Sequence, residues 1–228
     1  MPRLVSAARP GVALGSNSGT SPARRSRPSL TWACLRQAAW PKMSSRMNTI
    51  RTARCVLEPQ VEAHAPEMFE VLSDPAIYEF ERVPPPSVAR LAAGYRLRES
   101  RLSPDGREKW LNWVVRLPSG ALTGYVQATV LESGASYVAY EFASKYWRQG
   151  IGSAAVGAML EELAQNYGVH TFVAVLKLAN FRSMGLLRHL GFEAGAAADA
   201  ETYEAEADEV VMLKGLSSGF QPGAPNAA

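Results

Sequence analysis

Between Tyr137 and Tyr167 the chain reads as a β-strand, a turn holding two glycines, and a long amphipathic helix, and this order constrains the rest of the molecule more than any other stretch. The strand is predicted over Tyr137–Phe142 and the turn falls in Tyr146-Trp147-Arg148-Gln149-Gly150-Ile151-Gly152-Ser153-Ala154. In the helix, Ile151–Tyr167, the apolar positions Ile151, Ala155, Met159 and Leu163 oppose Glu161, Glu162, Gln165 and Asn166, and Gly168 ends it. A helix that starts straight from such a turn leaves free backbone N–H groups at the positive end of its dipole, a nest suited to phosphate. Gly150 and Gly152 carry no Cβ to keep a diphosphate away, and Arg148 adds a charge. Glycines placed only for the loop's own geometry would give the same string, so both readings stand at this point.

Around this unit the elements can be laid out by pattern. A first strand is predicted over Arg51–Leu57, a helix over Val61–Leu72 before the breaker Ser73-Asp74-Pro75, and a second helix from Ser87 to about Arg101 after Pro84-Pro85-Pro86. Trp110–Leu117, Leu122–Leu131 and Tyr137–Phe142 form an antiparallel meander with turns at Pro118-Ser119-Gly120 and Ser133-Gly134. Beyond the long helix come a buried strand over Thr171–Leu176, a helix over Asn180–Leu190 stopped by Gly191, and a last strand near Glu209–Lys214. The order predicts an α/β or α+β fold with a mixed sheet.

Charge matters because it is unevenly spread. The net charge of +3 rests on residues 1–48, which hold eight basic residues and no acid, while the other 180 residues carry 16 basic against 21 acidic side chains. The body is acidic, so nucleic-acid binding loses its compositional support. Residues 1–48 show no apolar periodicity and are expected to be disordered: a start set too far upstream, with Met43 or Met47 as the true one, or a targeting leader. A domain is expected over residues 49–216 and a loose tail over 217–228. Two cysteines, Cys34 and Cys55, give no disulfide framework, and no apolar run reaches the roughly 20 residues of a membrane span, so a reduced, cytoplasmic setting is expected.

Other chemistries have weaker claims. Gly150, Gly152 and Ala155 satisfy a dinucleotide fingerprint, but the next strand, Thr171–Lys177, holds no acid for the ribose, and a meander precedes the motif instead of a parallel βαβ unit. His64, His170 and His189 have no metal-like spacing, so no metal is expected, and no nucleophile elbow or Walker sequence occurs.

The glycine turn, Trp147 through Gly152, resembles the acetyl-CoA motif Q/R-x-x-G-x-G/A of the GNAT N-acetyltransferases, with Trp147 in place of the first Gln or Arg. Two further landmarks follow in order: Asn180 with Ser183 after a strand, then Leu190-Gly191-Phe192. With the opening Thr52-Ala53-Arg54-Cys55-Val56-Leu57-Glu58-Pro59 and the Tyr-Trp before the turn, the chain is most similar to the Rim-type branch, which acetylates ribosomal-protein N-termini. The resemblance covers about Thr49–Leu216 and implies a mixed, mostly antiparallel central sheet with helices on both faces.

It also implies acetyl-CoA as co-substrate, its diphosphate on the amides of Arg148, Gln149, Gly150, Ile151, Gly152 and Ser153, and its pantetheine arm on Phe142 and Ala143, with Asn180 nearby. An amine must be neutral to attack, so a carboxylate base is wanted, and Glu141 and Glu201 are the two candidates. Many family members carry a tyrosine acid seven residues after the Asn; Leu187 stands there, leaving Ser183 as the candidate donor. A helix cap alone is the other reading of Asn180 and Ser183. The acids Asp199, Glu201, Glu204, Glu206, Asp208 and Glu209, with Glu79 and Glu81, are expected to border the acceptor mouth and attract a cationic amine, or simply to be solvated. Partners implied are an amine-bearing small molecule or a protein N-terminus, and a second copy in a homodimer; a non-catalytic acyl-CoA-binding module and a dinucleotide-dependent oxidoreductase are the rivals.

Overall fold

The computed structural model describes residues 47–80 and 83–216. A short hairpin, β1 (Ile50–Arg51) and β2 (Val56–Pro59), is followed by helices α1 (Ala65–Val71) and α2 (Val88–Arg98). The meander β3 (Lys109–Arg116), β4 (Leu122–Val130) and β5 (Ala135–Phe142) leads into α3 (Ile151–Tyr167), β6 (Thr171–Lys177) and α4 (Phe181–His189). The last elements are β7 (Glu193–Ala194), α5 (Ala197–Thr202) and β8 (Glu209–Gly215). All eight strands lie in one sheet of order β1-β2-β3-β4-β5-β6-β8-β7.

The sheet is antiparallel except where β5 meets β6. That parallel pairing runs only through Ala135–Tyr137 against Thr171–Val173, after which the two strands part. β5 continues along β4 to Phe142, and β6 continues along β8 to Lys177. A wedge therefore opens in the middle of the sheet between the far halves of β5 and β6.

Strand alternation assigns the helices to the two faces. Tyr125 sits opposite Glu141 across β4 and β5, and Tyr125 packs in a buried cluster with Met68 and Leu72 of the α1 region and Tyr95 of α2. Phe142 points the other way, where its ring lies 3.5 Å from the position a Cβ would take at Gly152, the second residue of α3. So α1 and α2 cover the Glu141 face and α3 the Phe142 face. The predicted apolar stripe of α3 is its buried one: Ile151, Ala155, Val156, Met159, Leu160, Leu163 and Tyr167. Each such large side chain contributes about 1.5–3 kcal/mol by leaving water.

Three sequence expectations need correction. The strand read over Arg51–Leu57 is broken, because the Thr52 hydroxyl accepts from the Arg54 and Cys55 amides and folds the chain into the β1–β2 turn. Leader residues Met47 and Asn48 belong to the fold: Met47 is buried, Asn48 donates to Glu162 at 2.9 Å, and its carbonyl accepts the Trp113 indole N–H at 2.9 Å. β7 and α5 have no counterpart in the pattern reading. The rest of the leader, the 217–228 tail and Glu81 lie outside the described residues.

Candidate active site

A cavity of about 660 Å³ fills the wedge. Its walls are the far halves of β5 and β6, the glycine turn, and the first turns of α3 and α4, with Ala76, Ile77 and Phe80 closing one side.

The glycine turn behaves as a nest. Gly150 is the N-cap of α3 at φ 76°, a left-handed conformation that favours glycine, and no side chain caps the helix. No acid lies in the first turn, so the N–H groups of Ile151, Gly152 and Ser153 have neither an intrahelical partner nor a compensating charge. Arg148, at φ 60°, holds its exposed side chain at the cavity edge. Gly152 serves packing as well, since a Cβ there would lie 2.8 Å from Leu186 Cδ1 of α4. The glycines thus meet a demand of backbone geometry and packing, and they also leave the start of α3 uncapped.

Arg54 escaped the sequence reading. From the β1–β2 turn its guanidinium reaches the Gln149 carbonyl at 3.3 Å and lies 3.5 Å from the position of a Cβ on Gly150. No carboxylate pairs with it among the described residues. A cation beside the positive end of a helix is unfavourable until an anion arrives. No motif could have signalled it, because 95 residues separate Arg54 from Gln149.

On β5 the two expected amide donors differ. Ala143 donates its N–H to the Thr123 carbonyl at 2.9 Å, so this amide is committed to the sheet and is not offered to the cavity. By alternation the Phe142 amide faces the wedge. The Phe142 carbonyl already accepts the Trp147 indole N–H at 2.7 Å, which explains what the departing Trp147 does: it anchors the glycine turn to the end of β5. Glu141 also lines the cavity, from the α1 and α2 face. Tyr140 lines it from the α3 face and donates to the Ser183 carbonyl at 3.2 Å; burial pushes this phenol up to about 12, the hydrogen bond offsetting part of the rise.

The α4 residues are brought in as expected and act first as a cap. The Asn180 side chain accepts the Ser183 amide at 3.1 Å, and both residues line the cavity. The Ser183 hydroxyl has no hydrogen-bond partner among the described residues. Leu187, at the usual tyrosine position, is buried.

Glu201 is not brought to the cavity. It lies exposed on α5, the helix over β8 whose C-cap Tyr203 stacks edge-on with Tyr137 at 5.9 Å, near the closed end of the wedge. The acidic loop is also less negative than its composition suggests. Lys177 reaches Glu206, Asp208 and Glu209 at 3.1, 2.9 and 3.2 Å, and its hydrogen bonds to Asp208 and Glu206 hold its ammonium above the ordinary range. On the opposite rim Glu79 pairs with Arg182, whose guanidinium stacks over Trp147 at 4.4 Å and Phe80 at 5.5 Å. Asp74 ties that rim to the glycine turn, accepting from Ser144 at 2.6 Å and Ala76 at 3.0 Å. Burial pushes its carboxyl up, but these hydrogen bonds outweigh it and leave the group below its ordinary value.

The model of the Acetyltransferase (GNAT) domain matches residues 54–193, more than half of the chain. The chain belongs to the GNAT acetyltransferase family. It is accordingly an acetyl-CoA-dependent acetyltransferase, and its eight-stranded sheet with a split centre is the fold of that family. Solved GNAT structures share the fold at low identity. A ribosomal L7/L12 alpha-N-protein acetyltransferase, RimL, in complex with coenzyme A is 16% identical, with a TM-score of 0.62, over 74% of this chain and 98% of its own. The ribosomal-protein-S5-alanine acetyltransferase of Vibrio fischeri is 18% identical, with a TM-score of 0.61, over 77% and 100%. The microcin C7 self-immunity acetyltransferase MccE, in complex with acetyl-CoA and AMP, is 12% identical, with a TM-score of 0.60, over 72% and 94%. No curated protein sequence matches the chain. Among its described residues no helix is long and apolar enough to cross a membrane.

Proposed function

We propose that this GNAT acetyltransferase moves the acetyl group of acetyl-CoA to a primary amine by direct attack in a ternary complex, with Glu141 as the base. The observation that carries this is the placement of a carboxylate, a free strand amide and an uncapped helix start around one cavity. The diphosphate is held by the amides of Ile151, Gly152 and Ser153, with Gln149 and Gly150 in the same turn and Arg148 and Arg54 neutralising its charge. The acyl arm lies in the wedge, where the Phe142 amide is the one of the two expected donors turned toward it. Ala143 contributes packing, and Asn180 fixes the α4 wall.

Chemistry then needs three proton movements, two off the nitrogen and one onto the sulfur. The acceptor arrives largely as an ammonium, and Glu141, directly or through water, removes the proton that blocks its lone pair. The amine nitrogen forms a bond to the acetyl carbon, an amide N–H aimed at the carbonyl oxygen steadies the developing charge, and as the C–S bond breaks the nitrogen gives up its second proton to water, leaving a neutral amide. The departing thiolate is stable near its own pKa of about 8.5, so it needs only a weak donor. The unpartnered Ser183 hydroxyl is placed to give the sulfur a hydrogen bond, whereas the Tyr140 hydroxyl is already donated to the Ser183 carbonyl. Glu201 has no part in this scheme, because α5 keeps it away from the cavity.

For the acceptor, a protein N-terminus is favoured by the likeness to the two ribosomal-protein acetyltransferases. Purified protein is to be given acetyl-CoA with basic peptides, their Nα-blocked counterparts and polyamines, and thiol release measured. Release with free-N-terminal peptides alone is the expected result; release with polyamines alone would move the reading to a small amine. Binding of acetyl-CoA without thiol release from any amine would replace it with a non-catalytic module.

A further inference from the structure

Arg182, the second residue of α4, makes contacts that neither the helix cap nor the nest explains. Its guanidinium pairs with the Glu79 carboxylate and lies over two rings, Trp147 at 4.4 Å and Phe80 at 5.5 Å, both within reach of a cation–π attraction. The three partners come from two distant parts of the chain. Trp147 belongs to the glycine turn and is itself fixed, since its indole N–H donates to the Phe142 carbonyl at 2.7 Å. Glu79 and Phe80 lie at the far end of segment 75–80, and Phe80 closes one side of the cavity. At its base this segment has other holds. Asp74 accepts from Ala76 and Ser144, the Tyr78 hydroxyl donates to the Leu72 carbonyl at 2.6 Å, and Ile77 packs against the buried cluster of Tyr95 and Tyr125. Its tip is tied across the cavity mouth by Arg182.

We propose that Arg182 is the positioning residue for the acceptor: by tying Glu79 and Phe80 to Trp147, it holds the tip of segment 75–80 where that segment guides the amine toward the acetyl carbon. This rests on Glu141 being the base. Glu141 faces the side of the sheet covered by α1 and α2, and segment 75–80 lies between those helices in the chain, so an amine approaching from that side meets this segment. Without the tie the tip samples other arrangements, and the apparent affinity for the amine falls by the fraction that stays competent. Each contact is weak by itself. The side chains of Arg182 and Glu79 are 44% and 53% exposed, so one exposed ion pair with two ring contacts amounts to roughly tenfold in that fraction. Plain electrostatics predicts the opposite sign. A cation at the mouth repels a cationic acceptor, so if charge were its whole role, removing it would lower the KM for the amine.

Arg182→Ala separates the two, with a basic peptide bearing a free N-terminus as the acceptor. The variant is expected to raise the KM for the peptide about tenfold, to keep the KM for acetyl-CoA within about twofold, and to leave Tm nearly unchanged. Amide exchange should quicken at Ala76–Phe80 and stay as it was along β5. Glu79→Gln should act in the same direction and add little in the double variant, since it works through Arg182. Arg182→Lys, which keeps the charge and loses the flat stacking face, should recover only part of the loss. A lower KM for the peptide, or an unchanged KM with unchanged exchange at Ala76–Phe80, overturns the tie and leaves the transfer reading standing. A rise confined to the KM for acetyl-CoA also overturns it and assigns Arg182 to the cofactor. If the parental protein releases no thiol with any amine, the transfer reading falls first and takes this role with it.

Discussion

At Gly150 one hydrogen atom meets two demands, a left-handed backbone and an open approach to the start of α3. Gly150→Val is expected to cost about 1–2 kcal/mol in stability from the positive φ and to raise the KM for acetyl-CoA at least about tenfold, by crowding the nest and displacing Arg54. An unchanged KM, measured on the folded variant, would contradict the placement of the diphosphate. The turn was legible because all its parts are contiguous in sequence. The base was not. Glu141 and Glu201 are equivalent as letters, and what separates them is the parity of β5 and the position of α5, neither of which is encoded near either residue. Ala143 drops out as a donor because successive strand amides point to opposite sides, and continuing the Gly124↔Phe142 pairing sets its N–H against the Thr123 carbonyl.

Among the elements, α4 shows how a cap and a site share residues. Asn180 satisfies the Ser183 amide, and the next carbonyl contact, from Tyr140, pins the same turn to β5. Asn180→Ala is expected to destabilise the protein by about 1 kcal/mol in denaturant unfolding and to lower kcat more than it raises the KM for acetyl-CoA, because the Ser183 hydroxyl loses its fixed position. Loss of stability with kcat unchanged would reduce Asn180 and Ser183 to a cap alone. Long, strongly periodic elements were readable to the residue, as α3 shows. Two-residue strands such as β1 and β7 carry no period at all, and α5, six residues of which three are alanine, has no apolar stripe to announce it.

For the molecule as a whole, one titration outside the cavity governs the response to mild acid. His64 is half-buried beside Glu58, with Arg116 and Glu67 close by. Burial pushes its imidazole below the ordinary value, and attraction to Glu58 offsets this only in part. The folded state thus binds this proton less readily than the unfolded chain. The stability so gained is complete above the unfolded value of about 6.5 and is lost as pH falls toward the lower folded one. Tm should decline as pH falls below about 6.5, and His64→Gln should flatten that slope, as differential scanning calorimetry would show. The overall architecture was accessible from sequence because element order and turn chemistry agreed; the ion-pair network around His64, assembled from β2, α1 and β3, was not.

The three-residue parallel seam between β5 and β6 has a mechanical consequence. Within the sheet, Ala135–Tyr137 alone pair β5 with β6, so past that seam no strand hydrogen bonds join the two blocks and only side-chain contacts such as Tyr140 to Ser183 tie them. A molecule lying along the wedge and gripping both edges would act as a splint. Coenzyme A at 100 times its Kd should add about 2.7 kcal/mol to global stability. The slowing of amide exchange should be concentrated at Val138–Phe142 and Ala174–Lys177, with far less change at the outer strands β1 and β2. Uniform protection over all eight strands would mean that the two blocks already move as one.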